Sequence, residues 1–178
     1  MVDQLRIQSL LRDVPDFPKP GIIFKDITPL LADPVMRKYV VSEMASHYKT
    51  NRIDAVAAVE ARGFIFGSLL AEALEVAFIP VRKSGKLPYH KIQEEYALEY
   101  GKASIEMHVD AIQPGSRVLI HDDLLATGGT ASAAGNMIQR LGGEVAGFSF
   151  IINLAFLTGE KVLIDRFGVQ PHYLVSYP

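Results

Sequence analysis

Short apolar runs alternate with helical patterns along most of this chain, and that alternation constrains the fold more than any other feature. Asp54–Val59, Val76–Val81, Arg117–His121, Glu144–Leu154 and His172–Ser176 are runs suited to buried strands. Between them, Gly63–Leu74 carries Phe64, Phe66, Leu69, Leu70 and Leu74, and Gly129–Leu141 ends at Gly142-Gly143, so both read as helices. Strands that are apolar on both faces, separated by helices, predict a mainly parallel five-stranded sheet covered on both sides, an α/β fold. The whole of 1–178 is expected to form one domain.

Two stretches depart from that rhythm. Near the N-terminus, residues 3–12 have helical spacing, and Pro15, Pro18, Pro20 and Gly21 make 14–25 irregular. A further helix runs from Asp33-Pro34 to about Lys49, with Val35, Tyr39, Val40, Met44 and His47 expected on one face. Residues from about 1–30 are expected to stand apart from the sheet as a hood. Later, 83–109 begins with the basic, turn-rich Arg82-Lys83-Ser84-Gly85-Lys86-Leu87-Pro88. It continues as alternating apolar positions around Gly101, predicting an inserted antiparallel hairpin of the kind that serves as a lid.

Composition removes several function classes. The chain has no cysteine, which excludes disulfides, thiolate catalysis and cysteine-held metals. Eighteen Lys and Arg against 20 Asp and Glu leave a net charge of −2, which gives no support for nucleic-acid binding. Met1–Arg6 lacks the basic-then-apolar pattern of a secretory signal, and no apolar run approaches a membrane span, so a cytoplasmic location is expected. The Rossmann glycine pattern, Walker A, HExxH and GxSxG are all missing. The five histidines are scattered, so no dedicated metal cage is expected.

The chemistry concentrates in Val118-Leu119-Ile120-His121-Asp122-Asp123-Leu124-Leu125-Ala126-Thr127-Gly128-Gly129-Thr130. A buried strand ends in two acids, a loop with hydroxyls and glycines follows, and a helix begins. In a parallel sheet, ligands bind at the carboxyl ends of strands. Glycines let backbone N–H groups close round an anion, and the helix N-terminus adds positive potential. Two carboxylates beside a phosphate suit sugar hydroxyls or a bound cation, so the segment asks for a phosphorylated sugar.

This segment resembles the 5-phosphoribosyl 1-diphosphate (PRPP) motif of the type I phosphoribosyltransferases. The resemblance to their adenine-using branch covers nearly the whole chain. It is carried by Phe17–Leu30, Glu60-Ala61-Arg62-Gly63-Phe64, Val81–Pro88, Leu98-Glu99-Tyr100-Gly101 and Asp122–Thr130, in that order. Two positions depart from the family. His121 stands where an aliphatic residue usually precedes the acids, and Lys25 stands where many relatives have arginine.

The resemblance implies a reaction of PRPP with adenine giving AMP and pyrophosphate, that is, purine salvage. It implies Mg²⁺ held through substrate and water rather than by a protein cage. It places the 5′-phosphate on Ala126, Thr127, Gly128, Gly129 and Thr130, and the ribose on Asp122 and Asp123. Arg62, with a cis peptide just before it, and Arg82, Lys83 and Lys86 are implied to take pyrophosphate. Arg82 in relatives can act across a subunit boundary, so a homodimer is implied. Adenine is expected on the backbone of Ile23 and Lys25, with Phe24 and Leu124 against its ring. Glu99 and Tyr100 in the lid are implied as catalytic, the glutamate handling charge or a proton on the base. Two rivals remain at this level: a 6-oxopurine phosphoribosyltransferase, and a PRPP-sensing regulator on the same fold without turnover.

Overall fold

The computed structural model describes residues 3–97 and 102–178. Helix α1 (Gln4–Ser9) is capped by the Asp3 carboxylate and leads into a hairpin of β1 (Arg12–Pro15) and β2 (Ile23–Asp26). The proline-rich stretch that reads as irregular is thus the turn of a hairpin. Asp16 and Gly21 adopt positive φ, the Phe17–Pro18 peptide is cis, and the Asp16 carboxylate accepts the Gly21 N–H. A short helix α2 (Thr28–Ala32) and a longer one, α3 (Pro34–Tyr48), follow, the second capped by Asp33.

The remaining elements are β3 (Ala55–Val59), α4 (Gly63–Leu74), β4 (Ala77–Lys83), β5 (Lys91–Ala97), β6 (Lys102–His108), β7 (Arg117–His121), β8 (Leu124–Leu125), α5 (Gly129–Arg140), β9 (Glu144–Leu154), α6 (Gly159–Phe167) and β10 (His172–Tyr177). Strands β10, β9, β7, β3 and β4 lie side by side and pair in parallel, the five-stranded core that the apolar runs predict. The hairpin joins this sheet at its edge. β6 pairs antiparallel with the end of β4 through Arg82↔Glu106 and Lys83↔Ile105, and β5 pairs with β6. Pairing at this edge begins the hairpin at Lys91, earlier than side-chain alternation indicates, and its tip at 98–101 lies outside the described residues.

The sheet separates two cores. One face packs Val59, Ile79, Ile105, Ile120, Phe148 and Phe150 under α5 and α6. The other packs Val56, Leu119 and Ile151 under the N-terminal helices and α4. The buried face of α3 is Met36, Val40, Met44 and Tyr48, an i, i+4 stripe that keeps the expected Val40 and Met44 but takes Met36 and Tyr48 in place of Val35 and His47, which are exposed. Helix α6 has no counterpart in the sequence reading. No helix among the described residues is long and apolar enough to cross a membrane.

Candidate active site

Strand β7 ends at His121, and the chain turns at once into Asp122 and Asp123 at the carboxyl edge of the sheet. The Asp122 carboxylate accepts the Asp123 N–H at 2.9 Å and lies over the start of α4. Only a glycine fits there, because a Cβ on Gly63 would stand 2.9 Å from Asp122 Oδ1. Burial, then the charge of Asp123, pushes the Asp122 carboxyl well above the usual carboxylate range. Burial raises Asp123 as well, against the lowering effect of the Arg62 guanidinium. A buried and a half-buried acid with raised proton affinity suit a ligand that brings hydroxyl donors or positive charge.

Beyond them, Asp122, Leu124, Ala126, Thr127, Gly128, Gly129 and Thr130 line a cleft of about 70 Å³ against Phe150. Gly128 has φ +79° and no side chain caps α5, so the first N–H groups of the helix remain for a ligand. The loop rests on α6. A Cβ on Gly159 would stand 2.1 Å from the Ala126 carbonyl oxygen and 2.9 Å from the Gly128 nitrogen. Gly159 therefore shapes the loop, a role that sequence reasoning missed because the residue lies 29 positions after Thr130.

Arg62 connects three parts of the site. Its Nε is 3.1 Å from Asp123 Oδ2, its Nη1 donates to the Lys25 carbonyl at 3.1 Å, and its guanidinium lies 4.6 Å from the centre of the Phe24 ring. The cis peptide of this loop is Glu60–Ala61, one bond earlier than the resemblance implies. The residues expected to bind base, ribose and pyrophosphate thus converge on one guanidinium.

The basic loop is held by two acids that were not among the expected site residues. Glu60 accepts from Arg82 Nε and Nη2 at 3.1 and 3.2 Å and from the Lys83 N–H, and its carboxyl is held low chiefly by the Arg82 hydrogen bond. Buried Glu106 accepts from Ser84 and the Gly85 N–H and pairs with Lys91 at 3.0 Å. Burial would raise the Glu106 carboxyl, but these partners outweigh it and hold it low. Lys83 and Lys86 stay exposed while the turn itself is anchored. The clue to Glu60 lay in the Glu60-Ala61-Arg62-Gly63 run, whose first residue has its own task.

Ile23, Phe24 and Lys25 lie in β2, and Phe24 meets Phe17 edge-on at 5.2 Å. Ile23 is exposed, and Leu124 stands in β8 beside the acid pair. Glu99 and Tyr100 lie outside the described residues. His121 is fully buried, with neither ring nitrogen in a hydrogen bond and the buried Ser149 hydroxyl beside it in the sheet also unpartnered. Burial pushes its pKa down to about 4, partly opposed by the Ser149 backbone, so it stands neutral behind the acids.

A family model described as a phosphoribosyl transferase domain matches residues 29–167. An adenine phosphoribosyltransferase of Sorangium cellulosum is 55% identical over 162 residues, covering 91% of this chain and 81% of its own. The crystal structure of the Thermoanaerobacter pseudethanolicus adenine phosphoribosyltransferase superposes with a TM-score of 0.94 at 46% identity, over 98% of this chain and 99% of that one. The Saccharomyces cerevisiae enzyme, crystallised with adenine and an imino-altritol bisphosphate, superposes with a TM-score of 0.88 at 34% identity, covering 97% and 98%. The acid pair, the glycine loop and the Arg62 junction thus lie in a chain that belongs to the phosphoribosyl transferase domain family, in its adenine phosphoribosyltransferase branch.

Proposed function

We propose that this protein transfers the phosphoribosyl group of PRPP to adenine, releasing AMP and pyrophosphate. The observation that carries the reading is the convergence of Asp123, Phe24 and the Lys25 carbonyl on Arg62, beside a glycine loop that opens a helix. The 5′-phosphate takes the N–H groups of Ala126–Thr130, where the dipole of α5 adds positive potential. Asp122 and Asp123 accept the ribose hydroxyls, and burial makes those hydrogen bonds strong. Arg62 and the Arg82, Lys83 and Lys86 turn receive pyrophosphate, and Glu60 orients Arg82 for it.

The backbone of Ile23 and Lys25 reads the base edge, with Phe24 and Leu124 against the ring. Glu99, supported by Tyr100, stabilises charge or moves a proton on the base. Rate acceleration comes from positioning the reactants and from charge placed in advance. Mg²⁺ fits this site, since the Asp122 and Asp123 oxygens are hard donors that would hold it through water beside the PRPP phosphates. The chemistry that such an ion would supply is neutralisation of phosphate charge.

A homodimer belongs to the same reading, supported by Ile65, Leu69 and Phe78, which stand exposed on α4 and β4. So does a cytoplasmic location. The 6-oxopurine transferase and the regulator without turnover are not favoured, since the relatives at about half identity or more are adenine enzymes. The test is AMP formation from PRPP and adenine with Mg²⁺, against hypoxanthine and guanine. Adenine-selective turnover is expected. Turnover of another base discards the reading of Ile23–Lys25, and PRPP binding with no turnover makes the regulator the better account.

A further inference from the structure

The β1–β2 hairpin is a two-stranded sheet separate from the main one. A lone hairpin of this size is marginal in water, so something else must hold its backbone still. Lys25 is the residue through which this happens. It is only 9% exposed, unusual for a lysine. Its Nζ lies 2.6 Å from Oδ1 of Asp13, its cross-strand partner in β1, and 3.8 Å from the centre of the Tyr177 ring.

Tyr177 is itself fixed, as the last residue of β10, paired with Leu154 and accepting the Ala155 N–H on its carbonyl at 2.8 Å. The Asp13 carboxylate is half exposed, so solvent screens that ion pair. The buried stem of Lys25 and the ring of Tyr177 therefore supply the firmer part of the contact. On its other side, the Lys25 carbonyl accepts from Arg62. One residue is thus held by three elements far apart in sequence, and its side chain runs to the sheet edge.

We propose that Asp13 and Tyr177 are positioning residues for base selection, which clasp the Lys25 side chain and so fix the Ile23–Lys25 backbone that reads the purine. This rests on the transferase reading above. Adenine presents an amino donor where 6-oxopurines present an acceptor. A backbone group rejects the wrong one only if it is held in place, because a mobile carbonyl or N–H can be replaced by water or a shifted partner. Loosening the clasp degrades adenine binding and selectivity. It disturbs PRPP binding less, because most of the groups for phosphate and ribose lie on the separate 122–130 loop and only Arg62 joins the two.

The experiment measures KM for adenine, KM for PRPP, kcat, and the adenine to hypoxanthine ratio of kcat/KM in wild type, Asp13→Asn, Tyr177→Leu and Tyr177→Phe. Melting curves by circular dichroism confirm the fold of each. Tyr177→Leu and Asp13→Asn are expected to raise the adenine KM, by about tenfold for the first, a cation–π contact being worth roughly that much when desolvated. The base ratio narrows, and the PRPP KM rises clearly less than the adenine KM. Tyr177→Phe keeps the ring and behaves as wild type. If Tyr177→Leu does not fold, Asp13→Asn decides.

An unchanged adenine KM in the folded variants, or a parallel rise of both KM values, overturns the clasp while leaving the transferase reading intact. Wild-type protein that makes no AMP overturns both.

Discussion

Arg62 and Asp123 form an ion pair of 3.1 Å between the loop after β3 and the acids after β7, and the carboxylate in that pair is almost wholly buried. The pair joins the two central strands at their carboxyl ends, where the Asp122–Thr130 loop begins. It also bears on how much negative charge the acid pair holds, because Arg62 opposes the upward push of burial on Asp123.

Replacing Arg62 by Ala leaves that buried carboxylate without a cation, and should cost about 1–3 kcal/mol of stability for the unsatisfied group. Steady-state kinetics should show a PRPP KM raised on the order of tenfold, the worth of one charge-assisted contact, and weaker product inhibition by pyrophosphate. Kinetics equal to wild type would remove Arg62 from the site.

Gly159→Ala tests the seat of the phosphate loop. The added Cβ would stand 2.1 Å from the Ala126 carbonyl oxygen, so Ala126 or α6 must move. Overpacking of this kind typically costs about 1–3 kcal/mol. Calorimetry of PRPP or AMP binding should show a clear loss of affinity, larger than the change in adenine KM. Retained affinity in a folded variant would mean that the loop adapts.

Glu99→Gln should lower kcat more than it weakens PRPP binding, since a residue that acts on the base contributes after PRPP is in place. A wild-type turnover number would leave Glu99 with a structural role only.

His121 makes the acid limb of stability testable. Its pKa is pushed down to about 4 in the folded protein, against 6.5 for an ordinary histidine. The unfolded chain therefore binds the extra proton between those values, and stability falls as pH drops from about 6.5 toward 4. At 1.36 kcal/mol per unit, the loss from this group is on the order of 3 kcal/mol at pH 4. His172, also pushed to about 4 by burial and the neighbouring His47, adds in the same direction. Urea unfolding of His121→Val should show a flatter decline from pH 7 to 5 than wild type. Parallel declines would assign the acid sensitivity elsewhere.

What the sequence by itself determined is what neighbours along the chain determine. The bounds of α4, β7 and β9 are those of the apolar patterns, because burial on both sheet faces leaves each strand one readable composition. The acid-and-glycine loop was equally legible as a local structure. Its two acids, two threonines and two glycines fall within the nine residues 122–130, and the helix that completes it starts at Gly129.

Other features depended on contacts between distant segments. The prolines that mark 14–25 as irregular gave no sign that Arg12–Pro15 pairs with Ile23–Asp26, since pairing is a property of two segments. On α3, Val40 and Met44 are buried as expected, but the ends of the stripe are Met36 and Tyr48 and not Val35 and His47, because the sheet, and not the helix, selects which face is buried. The same holds at the site. Arg62 meets Asp123 across 61 positions, Gly159 supports a loop that ends at Thr130, and Lys25 reaches Tyr177 at the other end of the chain. The residue types were present in the sequence. Which carboxylate takes which cation, and which glycine must lack a side chain, was decided only when the parallel strands brought their carboxyl ends to one edge, because these interactions act over a few ångströms of space and not along the chain.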